Sequence, residues 1–503
     1  MAAVAAVLAT AVVALSLGLL GTPVGAADNG DGSRLYCGAG LVPATPNGRS
    51  NWQGGVVLDF TTGAPTCPEP IVSAALPVLR LATAGSGATW SLTRLGLLYA
   101  LAVGVLTGLA AWAVGPGLRL LVLLPALVPL VGPPFTRFFL STFSEPAGLL
   151  GAYGLCLGVA VVAVTGRHEV RERAVGLVLV AAGGLVAATA KASFVPLLAA
   201  AVVVVAATAV GRRRWVGLAA AGVLALVALA PVLAGVQWQE RHFAAVNTHN
   251  LVYTTVLPDV GATALRPLGL PPGALTAAGR AYYPDGVGGV PGAEVIAADP
   301  AAARRAAYGV LLTHPAAAVG AFGRGLTATL GADLSYLPSA PVAAASVPPV
   351  LGTTVGPQGA DRGQLLAWLH GLALPWLPAA VAAAGLLAGV LTAARAGRRA
   401  GHPAAALVPR NGQQGATGAA PGAAPAVVGR AAGRVAALAA ASALGLVAAA
   451  VLGDGYFEIA KHVWLAAYLL VVSGSATLLG VVVIAARRTF ALIETRKRPS
   501  RVA

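Results

Sequence analysis

The run AGLLGAYGLCLGVAVVAVT occupies residues 147–165 and contains no charged side chain. A helix that crosses a bilayer needs about 20 mostly apolar residues, so this run is long enough to be one span. A transmembrane barrel would instead show strands of roughly ten residues with alternating apolar and polar positions. The run therefore predicts a membrane-spanning helix, and the polar residues that flank it indicate where the chain leaves the bilayer.

Nine further apolar runs repeat this pattern along the chain. They lie at residues 3–25, 92–114, 118–133, 174–190, 194–210, 215–236, 365–394, 434–453 and 462–486. The 503-residue chain is 57% hydrophobic and 10% charged, whereas soluble proteins are roughly 25% charged. The predicted fold is therefore an all-α polytopic membrane protein with about ten transmembrane helices.

Basic residues follow these runs on alternate sides. The clusters are Arg119, then Arg167, Arg171 and Arg173, then Arg212, Arg213 and Arg214, then Arg395, Arg398 and Arg399, then Arg487 and Arg488, and finally Arg496, Lys497 and Arg498. Cytoplasmic loops carry an excess of Lys and Arg, so one orientation places all clusters inside. The net charge of +16 thus predicts a plasma-membrane protein with both termini cytoplasmic, and it does not indicate nucleic-acid binding.

The acidic residues are distributed unevenly in that orientation. Of 17 Asp and Glu, only Glu169, Glu172 and Glu494 fall on the cytoplasmic side. Acids contribute little to membrane orientation, so their excess outside needs another cause. A functional outer surface is one such cause.

The runs also divide the chain. Residues 1–395 form a transmembrane module with a large first outer loop, 27–91, and a long outer segment, 237–364, between spans 7 and 8. Residues 396–433 are rich in Gly, Ala and Pro and predict a flexible cytoplasmic linker. Residues 434–503 form a hairpin of two spans and a basic tail. Within the outer segment, 301–330 is either interfacial or a further span, which would place Arg395–Arg399 outside.

The start of the chain and its cysteines carry two further expectations. Gly25-Ala26-Ala27 resembles a signal cleavage site, but the missing basic n-region favours retention of the first run as a span. Cys37 and Cys67 share the first outer loop, where oxidising conditions favour a disulfide. Cys156 lies inside an apolar run, as a small core residue would.

Four polar clusters lie at the predicted outer ends of spans. They are Asp28, Asn29, Asp31 and Arg34; Arg137 to Pro146, with Glu145; Lys191; and Gly453 to His462, with Asp454, Glu458 and Lys461. The first three also have ordinary explanations: a solvated turn, a helix start capped by Ser144, and a lysine that snorkels to the interface. The fourth has more charge than a tight turn requires, and it favours function.

Motifs of soluble enzymes are missing from the sequence. It contains no phosphate-binding loop, no Gly-x-Ser-x-Gly and no His-Glu-x-x-His. His242 and His249 are seven residues apart and have no evident third partner, so no metal site is proposed. A divalent cation remains compatible with the acids if Glu145, Asp454 or Glu458 converge on the first loop.

These clusters, in this order, resemble the GT-C-type polytopic membrane glycosyltransferases, particularly bacterial hexosyltransferases of cell-surface glycan synthesis. The resemblance covers nearly the whole chain. It rests on Asn29-Gly30-Asp31 with Arg34, Phe143–Pro146, Lys191, Asn247–Pro258, Leu268–Leu270, and Gly453–Gly455 with Lys461-His462. In one departure, Gly32 and Ser33 follow the first-loop Asp, where the family would have an aromatic residue.

The resemblance implies transfer of a sugar from a polyprenyl-phosphate donor to a glycan acceptor on the extracytoplasmic face. An inverting displacement needs a base for the acceptor hydroxyl and cations for the departing phosphate. The implied base is Asp31 or Asp28. Donor phosphate and sugar would be bound by Arg34, Arg137, Glu145, Lys191, Asp454, Glu458, Lys461 and His462, while segment 237–364 would cover the acceptor.

Three other functions fit part of the pattern. A transporter or flippase for lipid-linked glycans usually has ionisable groups near mid-membrane, whereas these spans are almost free of charge. A glycan polymerase or ligase would also act on lipid-linked sugars outside. A non-catalytic scaffold predicts that the four clusters lie far apart.

Overall fold

The computed structural model describes residues 1–50, 54–166, 168–208, 215–282, 286–332, 334, 337–342, 372, 374–400 and 423–497. Helices are the main elements of this part of the chain, and its strands form one small sheet. Seven of its helices are long and apolar enough to cross a membrane, and the number rises to nine if each of two bent pairs is one span. The prediction of an all-α polytopic membrane protein is confirmed.

Eleven helices have thirteen or more residues. They are α1 Ala2–Ser16, α2 Thr93–Val114, α3 Glu145–Val164, α4 Val170–Ala190, α5 Val195–Ala207, α6 Trp215–Asn250, α7 Pro300–Thr313, α8 Pro315–Thr327, α9 Leu377–Ala400, α10 Ala423–Asp454 and α11 Trp464–Lys497. Short helical turns fill Leu118–Leu140 and Leu257–Ala277, and one-turn helices occur at Ser33–Gly38 and Ile459–His462.

Several boundaries differ from those predicted. The run 3–25 forms a helix only to Ser16, because Gly18 takes a positive φ of 62° and turns the chain. The run 118–133 is the start of a bent pair, Leu118–Val131 with Pro133–Leu140. Helices α9 and α10 extend into the predicted linker at both ends, and the remainder, 401–422, lies outside the described residues, as do Arg167, Arg212–Arg214 and Arg498.

Helix α3, which contains the uncharged run 147–165, lies at the centre of the bundle, with 89% of its apolar window buried. The backbone of α3 packs directly against the backbone of α4. A Cβ at Gly151 would be 2.6 Å from the carbonyl oxygen of Gly183, and one at Gly158 would be 2.6 Å from that of Gly176. Small residues permit such close helix packing in membranes. The glycines therefore place the start of α3 directly beside the end of α4.

The first loop is folded. Strands Val42–Pro43 (β1), Asp59–Thr61 (β2) and Thr89–Ser91 (β3) form an antiparallel sheet in the order β1-β2-β3. The disulfide Cys37–Cys67 ties the helix Ser33–Gly38 to the segment that precedes Ala75–Thr83. Phe60 and Trp90 pack together and are buried. The loop thus holds Asp28–Arg34 against the end of the bundle.

The predicted outer segment 237–364 begins inside a helix. Helix α6 continues to Asn250 and then becomes a π-helix, Leu251–Val256. Apolar residues within 251–277 and 290–311 form a second, smaller core. Helices α7 and α8 are bent by 104°, and at 14 and 13 residues neither reaches the about 20 that a span requires. The bend favours the interfacial alternative for 301–330.

Chain direction assigns the polar groups to the two ends of the bundle. Glu145 starts α3, Lys191 follows α4 and Asp454 ends α10, so these three residues share one end. Arg173 near the start of α4 and Arg434 in the first half of α10 lie towards the other end.

Candidate active site

The first loop and the last hairpin meet in space. The Lys461 ammonium lies 2.5 Å from the Asp31 carboxylate and 3.0 Å from the Asn29 amide oxygen. The Asn29 amide nitrogen donates to Glu458 at 2.8 Å. Residues more than 420 positions apart in the sequence therefore form one hydrogen-bonded network, which excludes the scattered arrangement that a scaffold predicts.

A second ion pair joins the start of α3 to the end of α4. The Lys191 ammonium lies 2.9 Å from the Glu145 carboxylate, and the Glu145 side chain is 4% exposed. Lys191 leaves α4 in an extended conformation, which directs it back towards the start of α3. Because Lys191 is paired with the buried Glu145, its ammonium does not simply extend to the membrane interface.

Members of both networks line one cavity of about 150 Å³, which we call the site cavity. Seven of the predicted site residues form part of its wall: Asp31, Arg34, Glu145, Lys191, Asp454, Glu458 and His462. Apolar and aromatic side chains from other elements complete it, including Ile71, Val72, Phe143, Trp238 and Phe243. The cavity thus combines fixed charges with surfaces on which an apolar or sugar-like ligand can pack.

The two candidate bases have different surroundings. Asp28 is 8% exposed and accepts hydrogen bonds from the backbone N–H of Gly30 and Gly32 and from the Ser50 hydroxyl, at 2.7–2.8 Å. Burial raises the pKa of Asp28, although the hydrogen bonds from Ser50 and the two backbone groups oppose it. Asp28 therefore shapes the turn and is not part of the cavity wall.

Asp31 faces the cavity, and its side chain is 36% exposed. Its carboxylate pairs with Lys461 and, at 3.0 Å, with Arg34. Burial opposes ionisation, but the positive charges of Lys461 and Arg34 outweigh it and hold the pKa of Asp31 well below its usual range. Asp31 is therefore an ionised carboxylate at neutral pH, in contact with one cation that faces the cavity and one that does not.

His462 and Asp454 form a pair in the last hairpin, with the His462 Nε2 3.2 Å from an Asp454 oxygen. Burial lowers the pKa of His462 despite the negative charge of Asp454. The imidazole is therefore neutral at pH 7 and offers a hydrogen bond without a positive charge.

The hairpin is positioned by the π-helix that follows α6. Gly455 has a φ of 62°, and a Cβ on it would lie 2.6 Å from the Asn250 carbonyl oxygen. The backbone N–H of Tyr456 donates to the Thr254 hydroxyl at 2.8 Å. π-helical turns often occur at functional sites, and here the wide turn supplies the surface against which the hairpin packs.

Three predicted residues lie outside the cavity wall. Arg137 is fully buried and donates to the carbonyl oxygens of Leu334 and Leu337 and to the Ser339 hydroxyl, at 2.8–3.0 Å. This position corrects the expectation that Arg137 binds the donor, because its guanidinium is occupied by Leu334, Leu337 and Ser339. Lys461 is 2% exposed and lies behind Asp31. Asp28 is the third.

Sequence reasoning used Asn247–Pro258 only as part of the resemblance and assigned no residue of α6 to the site. Trp238, Phe243, Asn247 and Asn250 line the cavity on the extension of α6 beyond the apolar run. The polar stretch Asn247-Thr248-His249-Asn250 directly after an apolar helix was the available signal. Arg34 lies 4.1 Å from the Phe243 ring centroid, so α6 and the first loop are in direct contact.

The described residues hold no group of three or more His, Cys, Asp or Glu arranged to bind a metal ion. A larger cavity, of about 1650 Å³, lies at the other end of the bundle and is called the far-end cavity. Its wall includes Arg119, Arg173, Arg430 and Arg434 among valines, alanines and leucines. The far-end cavity is larger, but none of the paired acids of the site cavity lines it.

The YfdI N-terminal transmembrane domain family matches residues 1–294 of this chain. The chain belongs to that family. The match includes the first loop, helices α1 to α6 and the π-helix, and it ends before the last hairpin. No curated protein and no solved structure shows a significant match to the chain.

Proposed function

We propose that this protein is a membrane glycosyltransferase that moves a sugar from a polyprenyl-phosphate donor to a cell-surface glycan or lipid-linked acceptor. The observation that carries the proposal is the convergence of Asp31, Arg34 and Lys191 on one cavity at the end of the spans. A carboxylate base and two cations are the groups that such a transfer requires. Membership of the YfdI family supports the same activity class.

The reaction is an inverting displacement. The acceptor hydroxyl oxygen attacks the anomeric carbon of the donor sugar, and the bond from that carbon to the phosphate oxygen breaks. The hydroxyl proton passes to the Asp31 carboxylate. The departing lipid phosphate keeps the electron pair, and Arg34 and Lys191 stabilise its negative charge.

The ion pairs of Asp31 suggest how its basicity is adjusted. A carboxylate held ionised by Arg34 and Lys461 is a weak base, because its pKa is low. When the donor phosphate binds Arg34, that guanidinium is shared, and the pKa of Asp31 rises towards the range that a general base needs. Lys461 is a positioning residue that keeps the carboxylate aimed at the cavity.

The remaining wall residues divide between orientation and sugar binding. Glu145 orients the Lys191 ammonium through their 2.9 Å contact. Asp454 and neutral His462 bind sugar hydroxyls, which differs from the phosphate role first expected for His462, since a neutral imidazole attracts an anion weakly. Arg34 and Lys191 supply the positive charge, so no step in this mechanism uses a divalent cation.

The proposal includes a location. The basic clusters at the far end are cytoplasmic under the positive-inside rule. The site cavity then faces the extracytoplasmic side of the plasma membrane, with both termini in the cytoplasm. The disulfide of the first loop suits that compartment, and a lipid donor reaches the cavity from the outer leaflet.

Transfer is tested with the full-length protein in lipid nanodiscs. The probes are radiolabelled glucosyl, galactosyl and mannosyl polyprenyl phosphates, and the products are sugar transferred to membrane extract glycans and free polyprenyl phosphate. Asp31→Asn should lower the rate by about 10²–10⁴-fold, the usual contribution of a general base. Asp59→Asn is the matched control, because Asp59 is an exposed acid on β2 of the same loop.

Each alternative gives its own result. Movement of the labelled lipid between leaflets without cleavage would replace the transferase with a flippase. Transfer of preassembled oligosaccharide, with no transfer of single sugars, would indicate a polymerase or ligase. Equal rates for Asp31→Asn and Asp59→Asn would remove Asp31 from the reaction.

A further inference from the structure

Asn250, the last residue of α6, has an amide whose orientation is determined by the fold. Asn250 is fully buried, and its Oδ1 accepts a hydrogen bond from the backbone N–H of Tyr282 at 2.8 Å. A backbone N–H can only donate, so the side-chain oxygen must lie towards Tyr282. A flip of the amide would lose this bond, and the Nδ2 is therefore held on the other side.

The Nδ2 of Asn250 finds no hydrogen-bond partner among the residues that the structure describes. Buried amide groups are nearly always hydrogen-bonded, and exceptions call for an explanation. Asn250 is also part of the wall of the site cavity. A donor that is oriented, buried and unmet at the wall of a ligand cavity is satisfied when the ligand brings an acceptor.

The neighbouring groups indicate the chemistry of that acceptor. The backbone of Gly455 packs against the Asn250 carbonyl, and Asp454, which precedes Gly455 in the chain, lines the same cavity as Asn250. The two side chains offer a neutral donor and an anionic acceptor. A hydroxyl group both donates and accepts, and it matches this pair, whereas a phosphate would be repelled by Asp454.

We infer that Asn250 and Asp454 bind hydroxyl groups of the transferred sugar, with the Asn250 Nδ2 donating to a hydroxyl oxygen. This inference rests on the proposed function and deepens it. The phosphate then binds Arg34 and Lys191, while the sugar binds where α6 meets the last hairpin. Asn250 is then a residue that determines sugar recognition and contributes little to binding of the lipid phosphate.

The test compares Asn250→Asp with the wild type. Aspartate keeps the oxygen that Tyr282 needs and removes the N–H donor. Gln239→Glu is the control, because it adds the same charge to the wall of the same cavity. Dissociation constants are measured in nanodiscs for polyprenyl phosphate and for the best-bound of its glucosyl, galactosyl and mannosyl derivatives.

We expect Asn250→Asp to weaken binding of the glycosylated lipid by about tenfold more than binding of the bare lipid phosphate. Gln239→Glu should change both constants by similar factors. An equal loss for the two lipids in Asn250→Asp, or no loss for either, would overturn the inference. A wild-type protein that binds neither lipid would overturn the proposed function as well, so the two failures are distinguishable.

The first part of a second measurement uses the wild type alone, so that part does not depend on the fold of a variant. The glycosylated lipid is replaced by each of its monodeoxy analogues. The wild type should bind one analogue about tenfold more weakly than the complete glycosylated lipid. Asn250→Asp should bind that analogue and the complete lipid with equal affinity. Equal binding of all monodeoxy analogues by the wild type would contradict a hydroxyl contact at Asn250.

Discussion

The two ends of the bundle carry charge in different ways. At the site cavity, Asp31, Glu145 and Asp454 each lie within 3.2 Å of a basic side chain, and the Glu145 and Lys461 side chains are almost fully buried. At the far-end cavity, Arg119 and Glu169 are 3.8 Å apart, and both side chains are about two-fifths exposed.

Charged residues of similar type therefore differ in burial and geometry between the two ends. An exposed arginine such as Arg119 suits the orientation of the chain in the membrane, which depends on the number of basic residues and not on their geometry. Arg173 at the same end differs, because it is 9% exposed and donates to the carbonyl oxygens of Val162 and Thr165.

At the site cavity, the buried Glu145 carboxylate fixes the orientation of the Lys191 ammonium. Under the proposed function, orientation of charge in a water-poor site is what electrostatic catalysis needs. Substitutions at the two ends should therefore have unequal effects.

The largest expected effect follows from breaking the buried ion pair. Lys191→Met leaves the Glu145 carboxylate buried without its partner and should lower the free energy of unfolding by about 3–5 kcal/mol. Thermal unfolding in detergent measures the change. Arg119→Met at the far end is the control and should cost under about 1 kcal/mol, because its ion pair is exposed.

The double variant Glu145→Gln with Lys191→Met sharpens this result. Removing both charges should recover most of the stability while sugar transfer stays low, since the phosphate has lost a cation. Equal destabilisation by Lys191→Met and Arg119→Met would contradict the contrast between the two ends.

A smaller effect is expected at the hairpin. Gly455→Ala forces an alanine to a φ of 62° and brings its Cβ to 2.6 Å from the Asn250 carbonyl oxygen, so it should cost about 1–3 kcal/mol. Because the hairpin carries Asp454 and His462, the rate of sugar transfer by the folded variant should also fall. Gly453→Ala is the matched control, since no atom lies within 4 Å of a Cβ there. A similar loss in both variants would argue against the π-helix as the support.

The smallest effect concerns acid. The pKa of Asp31 is lower in the folded protein than in the unfolded chain, so its ion pairs stabilise the fold fully above about pH 4 and less as pH falls below that value. Asp31→Asn should flatten the pH dependence of the free energy of unfolding between about pH 4 and pH 2, as measured by thermal unfolding. The change should be near 1 kcal/mol because the carboxylate is partly exposed. An unchanged acid profile would mean that the pair with Lys461 is not formed.

Much of the fold was predictable because a membrane span is identified by a continuous apolar run in the local sequence. The runs 92–114, 147–165 and 174–190 agree with α2, α3 and α4 to within a few residues. The break after Ser16 and the 104° bend between α7 and α8 were not predicted, because glycine conformation and helix docking depend on tertiary contacts. The extension of α6 to Asn250 was missed since its polar residues are stabilised by the first loop and the second core.

The site was predictable in composition and not in geometry. Residue type and position in the loops selected Asp31, Arg34, Glu145 and Lys191, all of which line the cavity. The same reasoning included Arg137, because the sequence shows that an arginine is near the membrane. It does not show that the guanidinium donates its hydrogen bonds to backbone carbonyls. The choice between Asp28 and Asp31 required the hydrogen bonds of the turn, which no spacing rule supplies.

The contact between Asp31 and Lys461 also has a consequence for biosynthesis. The two residues are 430 positions apart, and ribosomes add about 5–20 residues per second, so about 20–90 s separate their synthesis. During that interval the first loop has no partner from the last hairpin, and Arg34 is the cation next to Asp31. The contact between the first loop and the last hairpin is completed only when the final pair of helices enters the membrane. Under the proposed function, a nascent or C-terminally truncated chain is therefore unable to act on the lipids around it.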